Sequence, residues 1–419
     1  MSRISSRNSV SRNSANRPTT SRIPAMTKNS PRLASLDAFR GFVMLAMVSG
    51  GFALGTLVQI EPDNKIYQQL AYHTEHVAWA GVSFWDLIQP SFMFMVGVAL
   101  VYSCNKRKAL GQSWFSMFLH VLWRSALLIA LGWLLRSNTR DHTYWTLEDV
   151  IQQIGLGYPF LFLLWNRPRI FQWTILIVIL VGYWALFAAW PLPPDTFDPT
   201  SVNADPTEVP QYEGFQAHWN KNANPAHYAD VWLLNQFPRP EGEEFIFNSG
   251  GYNTLNFIPS LATMIIGLLT GQMLNRERGR FFKWMLLVFG GVACLGIGYA
   301  FHYYGICPIV KRIWTPSWAV YSAGWALLML SVFYFLMDLL PLKFLGWPFM
   351  VVGMNSITIY VLKALIAGWL VSTFVKHFGD DLFTAFGEQY AAIVERSLVV
   401  VLLWLICFWM YRYRFFVRI

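Results

Sequence analysis

The chain has 419 residues, of which 55% are apolar, 17% aromatic and only 13% charged. Soluble proteins carry about 25% charged residues, so this composition excludes an ordinary soluble enzyme and points to a polytopic membrane protein. The formal charge of +9 would suggest nucleic acid in a soluble protein, but here the cations follow the loops between apolar runs and no nucleic-acid partner is expected.

Residues 1–31 are rich in Ser, Arg, Asn, Thr and Pro and hold no apolar run, which reads as a flexible basic cytoplasmic tail rather than a signal peptide. Residues 32–419 read as a single transmembrane domain. The apolar residues run continuously instead of alternating, so the expected fold class is all-α, a bundle of about ten transmembrane helices. These helices are expected at 36–58, 83–103, 114–135, 149–165, 170–190, 255–274, 282–302, 315–338, 346–370 and 393–411. The four cysteines, Cys104, Cys294, Cys307 and Cys407, show no ligand spacing and lie at or near spans. They read as core residues or isolated thiols, and no metal is expected.

Basic residues recur in every second loop: Lys106-Arg107-Lys108, then Arg167 and Arg169, then Arg276, Arg278, Arg280 and Lys283, and finally Arg412, Arg414 and Arg418. Loops rich in Lys and Arg stay on the cytoplasmic side, so both termini are expected there. His76, Asp86 and the long loop at 191–254 then face the extracytoplasmic side. That loop mixes aromatics with Asn, Asp and Glu, which would suit a hydroxyl-rich acceptor, or it is a solvated cap.

Along the chain, Asp37 and Arg40 share a face of the first helix. They pair with each other, or Arg40 meets a phosphate entering from the cytoplasm. His76 and Asp86 lie ten residues apart at the mouth of the second span. The imidazole can exchange protons near neutral pH, and Asp86 can orient it if the chain folds back between Trp79 and Gly81. An interfacial histidine also serves structure, and His73 and Glu75 are competing groups. Arg124 lies well inside the third span, where a cation needs a carboxylate, carbonyls or an anionic ligand. Gln152 and Gln153, beside Gly155 and Gly157, are expected to satisfy one another across a close helix approach. Asn256 and Asn355 bring amides to the ends of later spans, either for bonding between helices or for function. Gly-rich phosphate loops, zinc-binding helices and nucleophile elbows are not among the motifs of this chain.

Taken in order, several segments carry a resemblance. They are Arg32-Leu33 with Ser35 to Gly41, then His76 to Gly81 with Asp86 and Pro90, and Gln153-Ile154-Gly155. Asn256 to Gly271, Trp314-Thr315-Pro316-Ser317 and Gly353-Met354-Asn355-Ser356-Ile357 follow. The ordered set resembles the heparan-alpha-glucosaminide N-acetyltransferase family and its bacterial relatives of unknown-function-domain type. The resemblance implies transfer of acetyl from cytosolic acetyl-CoA, the acyl donor substrate, to the amine of an amino sugar on the far side. The family's active histidine corresponds to His76, and its following acidic residue to Asp86. A family asparagine falls close to Gly51, where this chain reads Ser49-Gly50-Gly51. On this reading His76 is the base or transient acyl acceptor, Asn256 or Asn355 the oxyanion donor, and Arg40 and Arg124 the donor contacts. A short basic tail replaces the luminal portion of the lysosomal members, so the expected setting is a bacterial inner membrane. The partners are then the lipid bilayer, a glycan or amino-sugar acceptor and a second copy in a dimer. Two other classes compete: an O-acyltransferase acting on an envelope glycan hydroxyl, and a saccharide or amphiphile transporter without chemistry.

Overall fold

Inside a bilayer the backbone must satisfy its own hydrogen bonds, and continuous apolar runs do so as helices. The computed structural model describes residues 33–340 and 342–417, so the basic segment 1–31 lies outside the described residues. The helices are α1 (Ala34–Ser49), α2 (Lys65–Thr74), α3 (Ile88–Ala109), α4 (Trp114–Ser137) and α5 (Val150–Trp165). They continue with α6 (Arg169–Ala188), α7 (Pro225–Leu234), α8 (Phe257–Leu274), α9 (Arg280–Tyr303) and α10 (Pro316–Tyr334). The last four are α11 (Lys343–Gly353), α12 (Ser356–Phe378), α13 (Asp381–Thr384) and α14 (Ala391–Arg412). Among the described residues nine helical segments are long and apolar enough to cross a membrane, and α5 is a shorter apolar helix. The chain is therefore an all-α integral multi-pass membrane protein. Its one extended pairing among the described residues is an isolated bridge between Ala80 and Val310.

Two expected spans differ from the structure. The helix expected over 36–58 ends as α1 at Ser49, because Gly50, Gly51, Phe52 and Ala53 all take left-handed backbone, with φ between 52° and 63°. The two glycines adopt this conformation freely, whereas Phe52 and Ala53 do so at roughly 1–2 kcal/mol each. A 3-10 segment then runs to Gln59. The helix expected over 346–370 is two helices, α11 and α12, broken at Met354-Asn355. Apolar residues resume within a few positions on either side of both breaks, so hydropathy averaged over a span does not register them.

Small residues set the closest helix pairs. A Cβ at Gly97 of α3 would lie 2.0 Å from the Met264 carbonyl oxygen of α8, and one at Gly267 would lie 2.0 Å from that of Phe94. The backbones of α3 and α8 thus touch, as small residues permit in membranes. Gly267→Ala is expected to force the pair apart and lower stability by about 1–3 kcal/mol, measured by denaturant unfolding in micelles. The same construction joins α1 to α11, where Gly353 packs on the Asp37 carbonyl.

The expected mutual pairing of Gln152 and Gln153 is not what forms. Gln152 donates to the Thr146 carbonyl at 2.7 Å, and Gln153 to those of Leu147 at 2.7 Å and Thr254 at 3.1 Å. The side chains thus tie α5 to the backbone that leads into it and to the Thr254 carbonyl just ahead of α8. The long connection at 191–254 contains α7 and contributes Val209, Trp219 and Ala226 to a buried apolar cluster. Trp79, Cys307, Val310 and Ile313 join that cluster from two other connections, and Tyr183 and Phe187 from α6. This shared core is what holds the candidate site together.

Candidate functional site

Three connections meet at His76. The first runs from α2 to α3. Trp79, 1% exposed, donates its indole N–H to the Trp219 carbonyl at 3.0 Å, and Gly81 (φ 118°) turns the chain back. The second runs from α9 to α10. Thr315 caps α10, accepts the Val310 N–H at 3.0 Å and donates to the Pro308 carbonyl at 2.8 Å, closing a tight loop that carries Lys311 and Arg312. The Gly81 N–H reaches the Ile309 carbonyl at 3.1 Å and locks the two connections together. The third is the end of the long connection. Arg312 donates to the Gly250 carbonyl at 2.6 Å and to that of Val77 at 3.1 Å, clamping all three.

Within this frame His76 Nδ1 lies 2.7 Å from Asp86 Oδ1. The Lys311 ammonium lies 3.3 Å from that oxygen and 3.0 Å from Nδ1. Asp86 Oδ2 accepts the Val77 N–H at 3.3 Å and the Ser83 N–H at 3.2 Å, with the Ser83 hydroxyl 3.0 Å away. Asp86 and Lys311 are 1% and 4% exposed, a buried ion pair with an imidazole inserted beside it. An ionised carboxylate only accepts, so Nδ1 carries the proton and Lys311 directs its N–H to Asp86. Nε2 then presents a lone pair. It has no hydrogen-bond partner among the described residues, and 37% of the His76 side chain is exposed.

Burial lowers the His76 pKa below the ordinary imidazole value, opposed by the hydrogen bond that Nδ1 donates to Asp86 and reinforced by the charge of Lys311. Burial also pulls Lys311 down to about 8, against the attraction of Asp86. Tyr252 lies edge-on to His76, ring centroids 6.5 Å apart, beneath the cations of Lys311 and Arg312. A neutral imidazole fixed at Nδ1 and open at Nε2 can accept a proton at working pH.

The other expected residues are distributed through the bundle. Asn256, 4% exposed, donates its amide N–H to the Arg312 carbonyl at 2.7 Å, steadying the Lys311 loop, and its Oδ1 has no partner among the described residues. Asn355 is not brought to His76. It sits at the α11–α12 break, accepting the Val417 N–H at 3.3 Å, next to Gly353 and hence at the Asp37 end of α1. The Gly51–Thr74 contact puts the His76 connection at the other end of α1, about 24 Å away. Asp37 and Arg40 lie near the start of α1, and neither is without a partner. Arg124 donates to the Tyr158 hydroxyl at 3.2 Å and lies over its ring, with a buried Nε lacking a partner. Arg107 at the end of α3 donates to His120 of α4 at 2.7 Å. Among the described residues, none of these three basic groups has an acidic partner. No cluster of three or more His, Cys, Asp or Glu side chains that could hold a metal occurs among the described residues.

Lys311, Arg312, Ser83 and Tyr252 are the site residues that sequence reasoning missed. One signal was available: Lys311-Arg312 is a cationic pair in a connection that the alternation of basic loops assigns to the cation-poor side.

No protein-family model matches the chain. Over 446 aligned residues it is 24% identical to the heparan-alpha-glucosaminide N-acetyltransferase of Homo sapiens, covering 96% of this chain and 62% of that protein. It is 23% identical to the Mus musculus protein of the same name over 439 residues, covering 93% and 60%. The chain thus spans about three-fifths of the length of the curated relatives it matches. A distant relationship to an acetyltransferase extends over most of this chain.

Proposed function

We propose that this protein is a transmembrane acetyltransferase that moves acetyl from acetyl-CoA to the amine of an amino sugar, with His76 as the general base. The observation that carries the reading is the His76–Asp86–Lys311 cluster with its unpartnered Nε2. The distant likeness to proteins named as glucosaminide N-acetyltransferases supplies the reaction class. In the transfer step the acceptor nitrogen attacks the thioester carbon while Nε2 takes its proton. The carbon–sulfur bond breaks and the thiolate recovers a proton, leaving an amide and free CoA. Asp86 holds the Nδ1 tautomer and offsets the charge that forms on the ring. Lys311 keeps Asp86 ionised, and the Arg312 clamp fixes the three connections. Asn256 holds the loop that carries Lys311, and its amide is the remaining candidate for an oxyanion donor.

The donor's phosphates would lie with Arg107, His120 and Arg124, whose lack of acidic partners and orphaned Arg124 Nε fit an anion. Arg107 is about 30 Å of helix from Asp86, so donor and acceptor approach from opposite faces. With the basic loops inside, the donor enters from the cytosol, both termini are cytoplasmic and the acceptor comes from outside. Arg40, at the basic end of the bundle, belongs to the donor side of this reading.

Purified protein in proteoliposomes, given labelled acetyl-CoA and a panel of amino sugars, tests the reading; absence of any acetylated product overturns it. Hydroxylamine, which cleaves esters more readily than amides, identifies the bond made. Because burial lowers the His76 pKa, the acid limb of kcat/KM is expected below pH 6.5, the ordinary imidazole value. Lys311→Met removes a cation beside the ring and is expected to move that limb to higher pH. A pH–rate profile of both proteins checks the direction.

A further inference from the structure

Next to the candidate site lies a cavity of about 500 Å³ that the transfer chemistry leaves unused. Its walls come from Phe42, Leu45 and Ala46 of α1, and from Val400, Val401 and Trp404 of α14. Phe84 and Trp85 close the end nearest His76, and the Trp85 and His76 rings lie 6.5 Å apart. The left-handed turn makes room for it, since Gly51 and Phe52 form the wall where α1 would otherwise continue.

The polar side chains on these walls other than Trp85 are already committed. Ser49 donates to the Ala46 carbonyl at 2.8 Å, Thr74 to that of Leu70 at 2.8 Å, and the Trp404 indole to that of Pro348 at 3.0 Å. The Trp85 indole N–H has no partner among the described residues, and it stands at the His76 end. An amide-bearing chain such as a pantetheine arm would bury its polar groups here without partners, which is costly. A hydrocarbon chain would not. The cavity reaches from the His76 face to the middle of α14, and its rim residues Val401 and Phe52 are 52% and 37% exposed where lipid would lie.

We propose that the cavity holds the hydrocarbon chain of the acceptor, so that the acceptor is a membrane amphiphile whose amino-sugar head lies at His76. The chain enters from the bilayer between α1 and α14, and the Trp85 N–H meets the head where it joins the chain. This inference rests on the acetyltransferase reading above and specifies its acceptor.

The test compares hexadecyl and methyl glucosaminides as acceptors in nanodiscs with labelled acetyl-CoA. Wild-type protein should prefer the hexadecyl compound in kcat/KM. Ala46→Trp, which fills the cavity, should cut that preference by about tenfold or more. Bilayer partitioning is the same for both proteins, so the change in preference reads the cavity itself. Val400→Trp fills it from the facing helix and should do the same. A hexadecyl chain bearing a diazirine should label wild-type protein at Leu45 to Ser49 and at Val400 to Trp404, independently of any substitution. A preference unchanged in both variants, labelling spread over the lipid-facing surface, or a shift in acyl-CoA chain-length preference instead overturns the inference while the acetyltransferase reading stands. Acetylation of neither glucosaminide overturns that reading, and this inference with it.

Discussion

Alanine in place of His76 is expected to lower kcat for acetyl transfer about 10²–10⁴-fold, the usual range for a positioned proton acceptor. The fold should survive the change. Asp86 keeps Lys311, two backbone N–H groups and the Ser83 hydroxyl, so no buried charge is orphaned when the imidazole goes. Labelled acetyl-CoA should still bind, because Arg107 and Arg124 belong to other elements. This combination separates the acetyltransferase from a carrier of amphiphiles, whose substrate movement would persist without His76. Radiolabel transfer and a donor-binding measurement on one preparation provide the check. Turnover equal to wild type would remove His76 from the chemistry.

The spans were legible because their cause is local: a run of apolar residues long enough to cross a bilayer marks a helix wherever it occurs. The two helix breaks were not. Gly50 to Ala53 and Met354-Asn355 are too short to lower the average over a span-length apolar run, and Gly51 in the left-handed turn packs against Thr74 of α2. The His76–Asp86 contact was half legible, since ten residues with a glycine between them can fold back. Gly81 does so at φ 118° while Trp79 anchors the turn. Lys311 stands 235 positions from His76. No spacing rule spans that distance; the apolar cluster around Trp79, Val310 and Trp219 and the hydrogen bonds of Gly81 and Arg312 between the connections bring the two together. Asn355 illustrates the converse. An amide in an apolar stretch reads as functional, yet its place is set by the α1–α11 contact at the other end of the bundle.

The second large effect concerns the buried pair. Asp86→Ala leaves the Lys311 ammonium, 4% exposed, without its counter-charge, and losing one member of a buried pair costs about 3–5 kcal/mol. Lys311→Met in the same protein is expected to restore most of that stability, because removing both charges together is often neutral or stabilising. Activity should not return with it, since the imidazole would then lack the carboxylate that holds its tautomer. A double-mutant cycle read by unfolding and by turnover separates these two roles of Asp86. Lys311 adds a pH signature. Its folded pKa of about 8 lies below the ordinary 10.5, so between those values the unfolded chain binds more protons than the folded one. Stability should therefore rise with pH across that window, and the slope should vanish in Lys311→Met. A flat stability profile in wild-type protein would mean that the attraction of Asp86 fully offsets the burial of Lys311 and that its pKa is not lowered. Stability lost in Asp86→Ala but not regained in the double variant would assign the loss to packing around residue 86 and not to the ion pair.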